Sequence, residues 1–188
     1  IEYKLSQQLI EEIEEKSTFY DNGGYQGFHT LIGSLGKKVF TFEPDPNNLE
    51  ELKKNVELNP DQDIEIIEKP LWCKVKDLDL KIDKGGESSV GDGDFRKEST
   101  TLDNFVIDQE NPVPDIIKID VEGAEGLVLE GFTETLRQSN DRLVYCEVRP
   151  NKMSDYGYVS DEVHQRLEKC GFQVEVLSER ESNYFIKA

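Results

Sequence analysis

The chain has 188 residues, 36% hydrophobic and 33% charged, with 40 acidic against 22 basic side chains and a net charge of −18. That length suits one domain burying roughly 70% of its unfolded surface, and the aliphatic and aromatic content excludes a wholly disordered chain. An acidic surface with no Lys/Arg cluster disfavours nucleic acid and anionic membranes as partners.

Leu5, Leu9, Ile10 and Ile13 recur at helical spacing and predict a helix from about residue 2 to 15, an N-terminal element of residues 1–16 laid on a domain of residues 17–188. A strand over residues 18–20, the cluster Asn22-Gly23-Gly24-Tyr25-Gln26-Gly27 and a helix over 28–35 then form strand, glycine turn and helix. Next come a strand at 39–42, a helix entered through Asp45-Pro46 and stopped by Asn59-Pro60, and a strand at 64–67. The alternation lapses near 71–97, where strands over 71–82 and 90–95 around the loop 84–89 predict an inserted hairpin. A short helix at 101–107, a strand at 116–121, a helix at 125–136, a strand at 143–148 and a helix at 159–170 follow. Strands at 172–177 and 183–186 close the chain. The expected fold is α/β: a mostly parallel sheet with helices on both faces and an antiparallel strand near the C-terminus.

No apolar run approaches the ~18 residues of a membrane span, and no signal-type leader is visible. Cys73, Cys146 and Cys170 are scattered and odd in number, which predicts neither a disulfide framework nor a zinc knuckle. The expected setting is reducing and cytoplasmic. The oligomeric state is left open.

Ligands of open parallel sheets bind beyond the carboxyl ends of the strands. Asp21 and the turn Gly23, Gly24, Tyr25, Gly27 follow the first strand, and Glu43-Pro44 follows the second, where an acid holds two ribose hydroxyls. A nucleoside cofactor is implied. A dinucleotide fingerprint would need glycine where Asn22 stands, and would set Asp21 against a pyrophosphate. S-adenosylmethionine brings a sulfonium and an ammonium, which suit acidic residues, and one carboxylate, which suits turn amides and a helix N-terminus.

Period two puts Lys118, Asp120 and Glu122 on one face of a central strand, an expensive place for charge, and Glu147 ends the next strand at the same rim. Asp120 is the first candidate for a general base, with Glu122, Glu147 and His29 as the others; a helix-capping role for Asp120 or Glu122 is the structural alternative. His29 and His164 read as surface residues, and Trp72 as a core or rim aromatic. Arg149, Asn151 and Tyr156 fall in the loop after the fifth strand, where substrate choice is set. The carboxylate spacing offers no dedicated metal-ligand set.

Five blocks, taken in order, carry a resemblance. They are Asp21-x-Gly23-x-x-x-Gly27, residues 42–46 (FEPDP), residues 53–59 (KKNVELN), residues 99–103 (STTLD) and residues 117–125 (IKIDVEGAE). The chain resembles FkbM-type S-adenosylmethionine-dependent methyltransferases from Thr18 onward. The resemblance implies a seven-stranded methyltransferase sheet and O-methylation of a hydroxyl on a sugar or natural-product-like small molecule. Two differences stand out: Asn22, Gly24, Tyr25 and Gln26 replace the family's usual aliphatic, Ala, Asn and aliphatic residues, and Glu147-Val148-Arg149 lacks a following histidine. A non-catalytic methyltransferase-like binding domain is the alternative, and a nicotinamide oxidoreductase comes third.

Overall fold

Phe19 and Tyr20 are adjacent in the first strand, point to opposite faces of the sheet and are both fully buried, so the sheet is covered on both sides. The computed structural model describes residues 2–82, 88–138, 141–180 and 183–188. Its elements are α1 (Glu2–Glu12), β1 (Thr18–Asn22), α2 (Phe28–Gly33), β2 (Lys38–Phe42), α3 (Pro46–Glu57) and β3 (Ile64–Ile67). An inserted segment holds β4 (Asp77–Ile82), β5 (Ser88–Val90) and β6 (Phe95–Glu98). The remainder is β7 (Ile116–Ile119), α4 (Glu125–Glu130), α5 (Thr133–Arg137), β8 (Leu143–Val148), α6 (Pro150–Met153), α7 (Ser160–Lys169), β9 (Glu175–Arg180) and β10 (Asn183–Lys187).

The expected seven-stranded sheet is present, in the order β3-β2-β1-β7-β8-β10-β9. Pairing is parallel from β3 to β8, and β10 runs antiparallel to both β8 and β9. One face packs Phe19, Val39, Ile116 and Tyr145 against Leu5 and Leu9 of α1. The other packs Tyr20, Phe40, Ile117 and Val144 against Phe105, Leu129, Phe132 and Leu167. Each such side chain contributes roughly 1.5–3 kcal/mol by leaving water. Strand order reverses between β1 and β7, which opens the crevice where ligands of this architecture bind.

Four expectations are corrected. The insertion is a three-stranded sheet ordered β5-β4-β6, not a hairpin. Leu71 makes only an isolated bridge to Thr100. Strand β4 starts late because the Ser99 hydroxyl and backbone amide bond the carbonyls of Lys74 and Lys76 and hold residues 74–76 as a turn. Leu78 and Leu80 of β4 then bury against Trp72, Ala124 and Leu127. Residues 84–87 of the expected loop lie outside the described residues.

The single helix expected over 125–136 is two. Gly131 sits where a Cβ would come within 2.4 Å of the Trp72 carbonyl, and α5 restarts with its first amides on a distant carboxylate. Asp103 accepts from the Glu134 and Thr135 N–H groups at 2.9 and 2.8 Å. Strand β7 stops at Ile119, and Glu122 and Gly123 take left-handed backbone angles of φ 57° and 99°. Glu122 therefore stands in a turn beyond the strand, not on its face. Finally, Phe172 packs under α7 into the core, with its N–H on the Leu167 carbonyl, so β9 begins at Glu175.

Candidate active site

The carboxyl ends of β1, β2 and β7 open on a cavity of about 350 Å³. Its floor is the glycine turn. At Gly23, with φ 90°, a Cβ would lie 1.9 Å from the Asp120 carbonyl, so only glycine lets the turn after β1 touch the end of β7. The amides of Gly23 and Gly24 both donate to the Phe42 carbonyl at 3.1 and 3.0 Å, and that of Gly27 donates to the Gly24 carbonyl. The Tyr25 amide donates to Glu43 Oε2 at 2.8 Å. These four amides are engaged within the protein.

Glu43 lines the cavity just beyond β2, with Pro44 beside it. Its Oε1 accepts from the Asp45 amide at 2.8 Å. Burial pushes its carboxyl up to about 7, against the bonds from Asp45 and Tyr25 that favour the charged form. A carboxylate has about four lone-pair sites, so two amide bonds still leave acceptor capacity for hydroxyls.

Asp21 and Gly27 are not among the lining residues. Asp21 is fully buried beneath the turn, where it accepts from the Thr30 hydroxyl at 2.7 Å and from the Lys118 ammonium at 3.0 Å. Lys118 is buried yet forms part of the cavity wall, and it also donates to the Gly23 carbonyl at 2.9 Å. Burial alone would lower its pKa, but Asp21 and Asp120 outweigh that and raise it.

Asp120 and Glu122 line the cavity; Glu147 stands behind them. All three converge on Arg149, whose guanidinium lies 2.9 Å from Asp120, 2.8 Å from Glu122 and 2.7 Å from Glu147. Lys152 completes the group with a salt bridge to Glu122. Burial disfavours the charge on Asp120, yet Lys118 and Arg149 prevail and hold it below the usual carboxylate range. Glu147 is pushed up to about 8, first by burial and then by Asp120, to which it is hydrogen-bonded. Of the two, Asp120 is the one held toward the charged form and Glu147 the one held toward the neutral form. Burial also raises Glu122, against the attraction of Arg149. Among the described residues no group of three or more His, Cys, Asp or Glu side chains is placed to hold a metal ion.

The family model for the methyltransferase FkbM domain matches residues 21–174. The chain belongs to the FkbM methyltransferase family. It is 32% identical over 136 residues to the hexuronic acid methyltransferase AglP of Haloferax volcanii, a match covering 70% of this chain and 56% of that protein. The chain thus spans about half the length of the curated relative it matches. The methyltransferase FkbM of Methylobacillus flagellatus KT superposes with a TM-score of 0.65 at 15% identity, covering 93% of this chain and 44% of that one. SMU.1697c of Streptococcus mutans, solved in complex with SAH, superposes at 0.60 and 14% identity, covering 98% and 95%. At such identities these two likenesses concern the fold alone.

The FkbM signature blocks divide by role in the structure. Asn55 donates to the Gln26 carbonyl at 2.7 Å and so props the glycine turn, while Asp45 caps α3. Ser99 and Asp103 brace the insertion and α5, as described above. Sequence reasoning underrated His29: only 9% exposed, it lines the cavity rather than the surface. It also missed the contribution of the insertion, whose Leu80, Ser88, Ser89 and Val90 line the cavity. The alternation of Leu78 and Leu80 with Asp77, Asp79 and Lys81 was the available signal for that face. Trp72 is a wall residue, packed edge-on against Tyr156 at 5.7 Å. Of the three residues flagged after the fifth strand, Arg149 and Tyr156 line the cavity and Asn151 does not.

Proposed function

We propose that this FkbM domain transfers a methyl group from S-adenosylmethionine to a hydroxyl of a small acceptor, with acidic sugars the favoured class. The observation that carries the reading is one cavity with Glu43 at the end of β2 and Asp120 at the end of β7, joined by the glycine turn. Glu43 holds the ribose hydroxyls, and Pro44 and Leu71 flank the nucleoside. S-adenosylmethionine, when bound, supplies an electrophilic methyl on a sulfonium that needs no further activation. The work left to the chain is alignment, which supplies much of the rate in such displacements, and removal of the hydroxyl proton. Asp120, held ionised by Lys118 and Arg149, orients the acceptor hydroxyl and takes its proton, and Glu147 shares charge with it through their hydrogen bond.

The hexuronic acid methyltransferase of Haloferax volcanii, 32% identical over 136 residues, supports that class. The net charge of −18 supports a small acceptor over a nucleic acid. Three free cysteines are in keeping with a reducing, cytoplasmic setting, and no helix among the described residues is long and apolar enough to cross a membrane.

Isothermal titration with S-adenosylmethionine, SAH and NAD tests the nucleoside site. Binding of the first two is expected, and Glu43→Ala should weaken it by about 1.5–3 kcal/mol, the loss for hydrogen bonds to a charged group. Tight NAD binding with no sulfonium or SAH binding would overturn the reading in favour of a nicotinamide enzyme.

A further inference from the structure

The carboxylate of the cofactor's amino-acid arm needs a donor, and the cavity wall offers few that the protein has not already engaged. The turn amides of Gly23, Gly24, Tyr25 and Gly27 serve Phe42, Glu43 and Gly24. The Lys118 ammonium serves Asp21, the Gly23 carbonyl and Asp120. Arg149 is surrounded by three carboxylates, which would repel a fourth.

His29 differs from all of these. It stands in the first turn of α2, directly after the glycine turn, with its ring in the cavity wall and against Phe28 at 5.0 Å between centroids. It is nine-tenths buried, and its Nε2 has no hydrogen-bond partner among the described residues. A buried polar atom left unpaired costs about 1–3 kcal/mol unless something completes its bonding. The charged groups acting on the ring are Lys118, Asp21 and Asp120.

We infer that His29 is the donor for the carboxylate of the cofactor's amino-acid arm and so distinguishes S-adenosylmethionine and SAH from nucleosides that lack that arm. The inference rests on the nucleoside site proposed above. Burial lowers the imidazole pKa to about 4, with Lys118 acting in the same direction, so the ring is neutral at pH 7 and carries one N–H. A neutral imidazole offers its single N–H as a hydrogen-bond donor. The bond formed is charge-assisted, with the ligand carboxylate accepting from the ring N–H.

The test compares SAH with 5′-deoxy-5′-methylthioadenosine, which keeps the adenosine and the sulfur and lacks the amino-acid arm. Calorimetric titration of wild type, His29→Ala and His29→Gln reads the difference. His29→Ala is expected to lose about tenfold or more in SAH affinity with methylthioadenosine affinity unchanged, and His29→Gln, which retains an N–H donor, to recover part of the loss. Equal losses for both ligands, or no loss for SAH, overturn the inference. Failure of wild type to bind either ligand instead overturns the nucleoside site itself. If the alanine variant does not fold, nitrogen-15 NMR of the wild-type histidines decides. The His29 ring should shift with SAH and stay unmoved with methylthioadenosine, and the opposite pattern contradicts the role.

Discussion

Asn22 is a fully buried amide, and neither its Oδ1 nor its Nδ2 has a hydrogen-bond partner among the described residues. It holds the place where FkbM signatures usually carry an aliphatic residue, in the strand that leads into the glycine turn. Asn22→Leu, similar in volume and apolar, is expected to stabilise the fold by about 1–3 kcal/mol, read as a higher melting temperature; a lower one would show that the amide is satisfied after all. The Asp21–Lys118 pair below the turn is the opposite case. Removing one partner of such a buried pair costs about 3–5 kcal/mol, because the other is left as an uncompensated charge. Asp21→Ala should therefore unfold at markedly lower denaturant concentration than wild type, and an unchanged midpoint would mean that the pair adds nothing. Sequence reading found Asp21 by its motif and assigned it to the cofactor. The lysine that consumes its charge lies 97 positions away, and no local pattern reports such a partner.

At the level of elements, the parallel strands were legible because their runs are mostly apolar and separated by turn and helix signals, such as Asp45-Pro46 before α3. What was not legible depends on distant partners. The break between α4 and α5 follows from the Trp72 carbonyl against Gly131 and the Asp103 cap, both contributed by segments far from the helices. Likewise Asp120 and Glu122 were expected together by strand period, but a left-handed turn and Arg149 bring them together in the fold. A bond from the Val90 amide to the Tyr156 hydroxyl at 3.1 Å ties the inserted sheet to the loop after β8. Tyr156→Phe removes that tie and keeps the ring against Trp72. The expected result is a several-fold rise in acceptor KM with SAH affinity unchanged, whereas an unchanged KM would mean that the insertion is held by its apolar contacts alone.

Over the whole molecule, acidity and burial meet in carboxyl groups that keep their protons near neutrality. Glu125 is fully buried, with one oxygen accepting from the Gly123 amide at 2.9 Å and the other without a partner among the described residues, and burial pushes it up to about 7. An unfolded glutamate titrates near ~4.3, so between these values the native state binds more protons than the unfolded state. The stabilisation is complete below the unfolded pKa and is lost as pH rises through about 7 for Glu125 and about 8 for Glu147. Melting temperature should consequently fall between about pH 5 and about pH 8, and Glu125→Gln should flatten the fall by an amount on the order of 2 kcal/mol at the alkaline end. A profile rising with pH would contradict these protonation states. The claim on which the functional reading depends is methyl transfer at the Asp120 end of the cavity. Mass spectrometry of hexuronic acids and neutral sugars incubated with S-adenosylmethionine reads it directly, as SAH released in step with a product heavier by one methylene. Wild type should methylate a hydroxyl of at least one acidic sugar, and Asp120→Asn should turn over about 10²–10⁴-fold more slowly while melting within a few degrees of wild type. Normal turnover by Asp120→Asn, or cofactor binding with no SAH released on any acceptor, would contradict it.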